Sequence, residues 1–276
     1  MKSIQNKVAV VTGAGSGIGR ELALQFAARG AEVALADVNA AGLESTLADI
    51  SRTGGHASSH LVDVSNREAM NDFAERVIRQ HSRVDILINN AGVALKDVKV
   101  QNIAYEDFEW VMNINFWGVV HGTKAFLPHL LNRPQANLVN VSSAYGVTAA
   151  GNQGAYSTSK FAVRGFSEAL RQELHDTPVK VTVVFPGGVR TGIARSSKVA
   201  QNGEPIRDAE AAIRSFEARQ RILPGEAARQ IIRGIQRDAP RLLVGNDIKL
   251  LDLLVRLAPA AYDVFMLKYV MRDYSR

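Results

Sequence analysis

The sequence contains no cysteine. That excludes disulfides, thiolate nucleophiles and cysteine-ligated metals, and it fits a reducing compartment. It also lacks any run of about 18 uncharged apolar residues, so no membrane-spanning helix is expected. Only MKSIQN precedes the first apolar run, and KVAVVTG is too short for a leader's apolar region and cleavage site. No secretory leader is expected, and the expected location is cytoplasmic. Lysine and arginine number 33 against 27 acids, a net charge of +6. The bases are interspersed with the acids, however. There is no basic block, zinc-finger spacing or aromatic RNA-binding signature, so no nucleic-acid partner is expected. Nor is there a cluster with metal-ligand spacing, and no metal site is expected.

What is present is an ordinary globular composition: 276 residues, 46% hydrophobic and 22% charged. That is enough for one large α/β domain. Lys7 to Thr12 reads as a short buried strand. TGAGSGIGR follows, from Thr12 to Arg20, and then the helical pattern ELALQFAARG. Strand, glycine turn and helix is the setting a phosphate loop needs. Gly13, Gly17 and Gly19 permit a tight turn and close backbone approach. The helix start at Ser16, Gly17 and Ile18 offers N–H groups to a pyrophosphate.

The second strand, AEVALAD, ends at Asp37, 24 residues after Gly13. An acid at this distance suits the adenosine ribose hydroxyls and repels a 2′-phosphate, which favours NAD over NADP. Arg20, the nearest base, is expected to point along its helix. Further strands are expected at Ser58 to Val62, Val84 to Gly92, Ala136 to Ser143, Val179 to Gly187 and Arg241 to Val244. Helices are expected at Asn39 to Thr53, Asn66 to His81, Tyr105 to Leu131 and Pro224 to Arg237. The alternation implies a doubly wound, Rossmann-type parallel sheet with helices on both faces. Ligands then collect beyond the C-terminal strand ends, where Gly13, Asp37, Asp63 and Asn90 fall.

The stretch from Gly154 to Asp176 reads as one helix, with Phe161, Val163, Phe166 and Leu170 on its apolar face. Tyr156 and Lys160 are four residues apart and share a face. A free tyrosine titrates near about 10. A lysine cation held close by lowers that value and makes the phenol a usable acid or base. Ser143 precedes Tyr156 by 13 residues, a loop long enough to bring its hydroxyl beside the phenol. Asn115 interrupts an apolar segment. A buried asparagine needs partners, and either neighbouring backbone or a water near the site supplies them.

TGAGSGIG, Asp37, Asp63, NNAG (Asn89 to Gly92), Asn115, the Ser143 of VSSAYG, YSTSK and PGGVRT stand in the order and spacing of the short-chain dehydrogenase/reductase family. The sequence resembles that family over roughly residues 6 to 192, and more loosely to Gly245. The resemblance implies an enzyme that moves a hydride between NAD(H) and a secondary alcohol or carbonyl compound. Tyr156 would exchange the proton, Ser143 would hold the substrate oxygen, and Lys160 would bind the nicotinamide ribose. Asn115 would hold a water linking Lys160 to solvent. The implied dinucleotide contacts include Gly13, Ser16, Gly17, Ile18, Gly19, Asp37, Asp63, Val64, Asn90, Ala91, Gly92, Tyr156, Lys160, Pro186 and Gly187. Val189 and Thr191 would meet the nicotinamide carboxamide. A homodimer or homotetramer is expected. The alternatives are an NADP-dependent carbonyl or ketoacyl reductase, and a dinucleotide-binding protein without catalysis.

Residues 1–246 are read as the catalytic domain, with 192–222 as a substrate lid that turns helical from Arg207 to Ile222. Residues 247–276 are read as an amphipathic helical tail broken at Pro259. Lys249, Asp252 and Arg256 form its polar face, and Leu250, Leu251, Leu254, Val255 and Leu257 fill the rest. Three roles suit the tail: packing on the core or a subunit, an apolar wall over a lipophilic substrate, or peripheral membrane contact.

Overall fold

The computed structural model describes residues 1–202 and 221–265. Seven parallel strands form one sheet: β1 (Val8–Thr12), β2 (Glu32–Asp37), β3 (His56–Leu61), β4 (Ile86–Asn89), β5 (Ala136–Val141), β6 (Val179–Pro186) and β7 (Arg241–Val244). Their order across the sheet is β3-β2-β1-β4-β5-β6-β7. The central strands β1, β4 and β5 are buried along their whole length. This explains why they read as continuous apolar runs rather than alternating ones. The chain reverses its direction of travel across the sheet between β1 and β4. A crevice opens at such a switch point, beyond the C-terminal strand ends.

The helices are α1 (Gly17–Ala27), α2 (Ala40–Arg52), α3 (Arg67–His81), α4 (Tyr105–Met112), α5 (Gly118–Leu131), α6 (Gly154–Glu173), α7 (Pro224–Gln236), α8 (Asn246–Leu257) and α9 (Tyr262–Phe265). One core joins the sheet to α1, α2 and α7 through Leu22, Phe26, Ile50 and Ile231. The other joins it to α3, α5 and α6 through Phe73, Val77, Phe126 and Leu170. Phe73 and Phe126 meet edge to face at 5.4 Å. Truncating a ring so buried costs about 3–5 kcal/mol.

Within the described residues the expected elements of the sheet and its flanking helices are present, with ends displaced by up to three residues. Asn39 and Asn66 prove to be caps rather than first turns. Each accepts a hydrogen bond from the amide three residues on. The helix expected from Tyr105 to Leu131 spans that length, with residues 113–117 wound as a π-helical turn between α4 and α5. Its buried Asn115 bonds outside the helix, and such turns accompany functional sites.

The expected helix from Arg207 to Ile222 falls mostly on residues 203–220, outside the described residues. Ile222 itself pairs with Val189 in an isolated β-bridge. Met266, Tyr269 and Val270 of the tail also lie outside the described residues. In α8 the expected faces are partly inverted. Asp252 is buried against Arg241, while Leu250, Leu253 and Leu257 are exposed. The reason is that Arg241 of β7 offers two charge-assisted hydrogen bonds, which fix that turn inward.

Candidate active site

The C-terminal ends of β1, β2, β4, β5 and β6 bring the expected residues to one side of the sheet. The α1 end is built for an anion. Ser16 is its N-cap but makes no side-chain cap, and no acid stands in its first turn. Gly13 has φ +67° and Gly17 φ +54°, a region that favours glycine. A Cβ on Gly19 would fall on the Gly13 carbonyl. Backbone N–H groups and a helix dipole thus meet a surface without side chains, which fits a pyrophosphate.

Asp37 lies beside this loop. Its carboxylate accepts the Gly15 amide at 2.8 Å and the Asn39 amide at 2.9 Å. Each oxygen keeps a further lone pair, enough to accept ribose hydroxyls. Arg20, the nearest base, is held by an ion pair with Asp49 of α2. Asn90 serves the loop from below: its side chain donates to the Thr12 carbonyl at 2.9 Å. The Thr12 hydroxyl in turn accepts the amides of Asn90 and Ala91. These contacts make Asn90 a brace for the β1 turn.

Asp63 closes a turn with the Ser65 amide and hydroxyl. Val64 is buried, and its carbonyl accepts from His121. A cavity of about 490 Å³ opens between Asp63, Asn66, Arg67, Glu68 and His121, but neither Tyr156 nor the glycine loop lines it. Across the crevice, Thr191 faces Gly17: a Cβ there would stand 3.5 Å from the Thr191 methyl. The loop after β6 and the α1 N-terminus therefore border the same space.

Tyr156, Ser143, Lys160 and Asn115 come together beyond β5. Tyr156 is partly exposed near the start of α6, with the Ser143 side chain close enough to its phenol to influence its titration. Tyr145 packs edge-on against its ring at 6.1 Å. Lys160 is 3% exposed, donates to the Val141 carbonyl at 3.2 Å and lies 5.6 Å from the Tyr156 ring centre. Gly92 separates Asn115 from Lys160. A Cβ there would meet the Asn115 oxygen at 3.2 Å and the Lys160 Nζ at 3.3 Å. Asn115 spends its side chain on the Val93 amide, the Val93 carbonyl and the Ser159 hydroxyl. Two of these three bonds go to the Val93 backbone.

The titration behaviour departs from the sequence expectation. Burial pushes the Tyr156 phenol up from its ordinary value, and the Ser143 hydroxyl pulls it part of the way back. Burial also pushes Lys160 down, to about 8. The ammonium sits against a carbonyl and beside the ring face, yet the phenol's own desolvation, not the lysine charge, sets the direction of its shift.

Sequence reasoning missed three supporting residues. Ser142 donates to the Lys160 carbonyl at 2.8 Å and ties α6 to the end of β5. Ser159 orients Asn115. Asp107, fully buried in α4, accepts the Lys198 ammonium at 2.7 Å and the Gln201 amide at 2.7 Å. This fastens the first part of the expected lid. Among the described residues, no group of three His, Asp or Glu side chains is placed to hold a metal ion. No helix among them is long and apolar enough to cross a membrane.

The family model for short chain dehydrogenases matches residues 7–202, more than half of the chain. The chain belongs to the short-chain dehydrogenase/reductase family. The chain is 42% identical over 265 residues to SadH of Mycobacterium tuberculosis, an oxidoreductase by name, covering 95% of this chain and 94% of SadH. Its fold matches a family member from Burkholderia phymatum solved in complex with NAD, with a TM-score of 0.86, 29% identity and 96% of each chain covered. A metagenomic short-chain oxidoreductase in complex with NADP matches with a TM-score of 0.71 at 26% identity, over 88% of this chain and 98% of the other. The protein is thus an oxidoreductase of a family that uses nicotinamide dinucleotides.

Proposed function

We propose that this dehydrogenase interconverts a secondary alcohol and its carbonyl compound with NAD(H), with Tyr156 as the proton-exchanging group. The observation that carries this reading is the convergence of Tyr156 and Ser143, with Lys160 buried one helical turn on and its Nζ 5.6 Å from the Tyr156 ring centre. When bound, the dinucleotide supplies a two-electron acceptor or donor. Gly13, Ser16, Gly17, Ile18 and Gly19 hold its pyrophosphate, Asp37 its adenosine ribose, and Lys160 its second ribose. Asp63, Val64, Asn90 and Ala91 border the adenosine side, and Gly92 lies beside Lys160 at the second ribose. Pro186, Gly187, Val189 and Thr191 border the nicotinamide side. Ser143 donates a hydrogen bond to the substrate oxygen, and Tyr156 takes the hydroxyl proton in oxidation or returns it in reduction. Asn115 keeps the Gly92–Val93 backbone in place beside Lys160.

Asp37 supports NAD rather than NADP, because its carboxylate repels a 2′-phosphate and Arg20 is engaged by Asp49. An apolar cluster including Leu95, Val98, Ala155 and Ala200 adjoins Tyr156 in the chain, which supports a lipophilic substrate. Exposed Trp117, Leu131 and Phe161 support a homodimer or homotetramer, and exposed Leu250, Leu253 and Leu257 on α8 leave peripheral membrane contact open to a liposome sedimentation test. The function is tested with secondary alcohols of rising chain length, each with NAD and with NADP, followed by absorbance of the reduced cofactor. NAD supports turnover and NADP supports much less. A wild type that prefers NADP contradicts the reading of Asp37.

A further inference from the structure

The family model ends at residue 202, and residues 247–276 read from the sequence as an addition to the catalytic domain. One side chain of that addition reaches back to the loop after β6. Asp247, in the first turn of α8, accepts the Gly188 amide at 2.6 Å. The same carboxylate occupies the space two glycines leave open. A Cβ on Gly187 or on Gly245 would strike its oxygens. Gly245 has φ +115° and is glycine on backbone grounds as well. Gly187 has no such requirement, and the room taken by Asp247 accounts for its missing side chain.

Asp247 is presented by a fixed helix. Ile248 is fully buried and packs with Val147, Val183 and Phe185. Asp252, one and a half turns on, holds Arg241 of β7 through hydrogen bonds of 2.7 and 2.6 Å. The loop has further ties to the sheet and to Ile222: the Gly187 amide donates to Val244 at 2.9 Å and the Arg190 amide to Ile222 at 2.8 Å. Asp247 is the side chain that sets the peptide between them.

We propose that Asp247 is a positioning residue for the loop from Gly187 to Thr191, and through it for the nicotinamide half of the dinucleotide. This rests on the reading above that Val189 and Thr191 border the nicotinamide. Asp247 touches no reacting atom. It holds the Gly188 amide, and the next residues of the loop carry the contact. The catalytic unit therefore extends past residue 246 and into α8.

Calorimetric titration of wild type, Asp247→Ala and Asp247→Asn with NADH and with ADP-ribose tests this. ADP-ribose keeps the adenosine, both phosphates and the second ribose but lacks nicotinamide. Asp247→Ala raises the NADH Kd by about 3- to 10-fold, the net worth of one ordinary hydrogen bond. It leaves the ADP-ribose Kd unchanged. Asp247→Asn, which keeps an oxygen for the Gly188 amide, stays near wild type. An unchanged NADH Kd in Asp247→Ala overturns the proposal. So does an equal loss for both ligands, which marks general disruption, or an asparagine variant as weak as alanine. A wild type that binds ADP-ribose as tightly as NADH overturns the reading of the loop itself, and one that binds neither overturns the dinucleotide site.

Discussion

Burying an ammonium costs free energy, and a lysine relieves that cost by releasing its proton. Lys160, held at about 8 by burial, gives this a measurable form. The unfolded chain keeps the same proton up to about pH 10. Between about pH 8 and pH 10 the unfolded state therefore binds more protons, and stability rises with pH. Below the folded value the cost is present in full. Above about pH 10 the raised Tyr156 phenol opposes the trend, since the folded state then holds the extra proton. Denaturant melts across this window show a rise in wild type that Lys160→Met flattens; an equally steep rise in the variant contradicts the burial argument. Asp37 makes a second prediction at this scale. Asp37→Ser removes the charge that faces a 2′-phosphate, so the ratio of kcat/KM for NADP to that for NAD rises at least about tenfold. An unchanged ratio contradicts the assigned role.

Among the elements, α4 does work that its sequence hides. Its Asp107 is fully buried. Burial alone would raise its carboxyl, but hydrogen bonds from Lys198 and the Gln201 amide, with the Lys198 charge, hold it below the usual value. Around it, the Lys96 amide donates to the Lys198 carbonyl and the Lys198 amide to the Ala94 carbonyl. This clamp fixes the first part of the expected lid beside the segment that precedes α4. Asp107→Ala removes two charge-assisted hydrogen bonds and costs about 1–3 kcal/mol. Because the folded pKa is depressed, the contribution is present above about pH 4 and is lost as pH falls through the folded value. Hydrogen exchange checks the location: amides of Lys96, Lys198 and Gln201 exchange faster in the variant, while β1 and β4 do not. Equal protection throughout contradicts the clamp. The sequence could not show this, since Asp107 and Lys198 are 91 residues apart. The π turn was hidden for a similar reason. Asn115 draws on Val93 and Ser159, 22 and 44 residues away, and a pattern of apolar spacing registers neither.

Taken as a whole molecule, what could be read beforehand follows from local physics. Continuous apolar runs mark buried parallel strands, the glycines of residues 13–19 mark a backbone that must come close to a ligand, and the four-residue interval from Tyr156 to Lys160 marks a shared helix face. What could not be read depends on distant partners. The tail shows this most clearly: its polar stripe of Lys249, Asp252 and Arg256 suggests a solvent face, yet Arg241 of β7 draws Asp252 inward. Removing residues from 247 onward therefore disturbs the sheet and the loop after β6 together, and a truncation meant to isolate the tail's surface role has to begin beyond α8. The proposed chemistry turns on one group: the Tyr156 phenol beside Ser143, with a buried lysine behind it, exchanging the substrate's proton next to a bound dinucleotide. The most direct measurement compares wild type with Tyr156→Phe in two assays on the same samples: NADH binding by calorimetry and turnover of the best alcohol with NAD. The expected result is a nearly unchanged NADH Kd with turnover lost. Substantial turnover in the phenylalanine variant contradicts it.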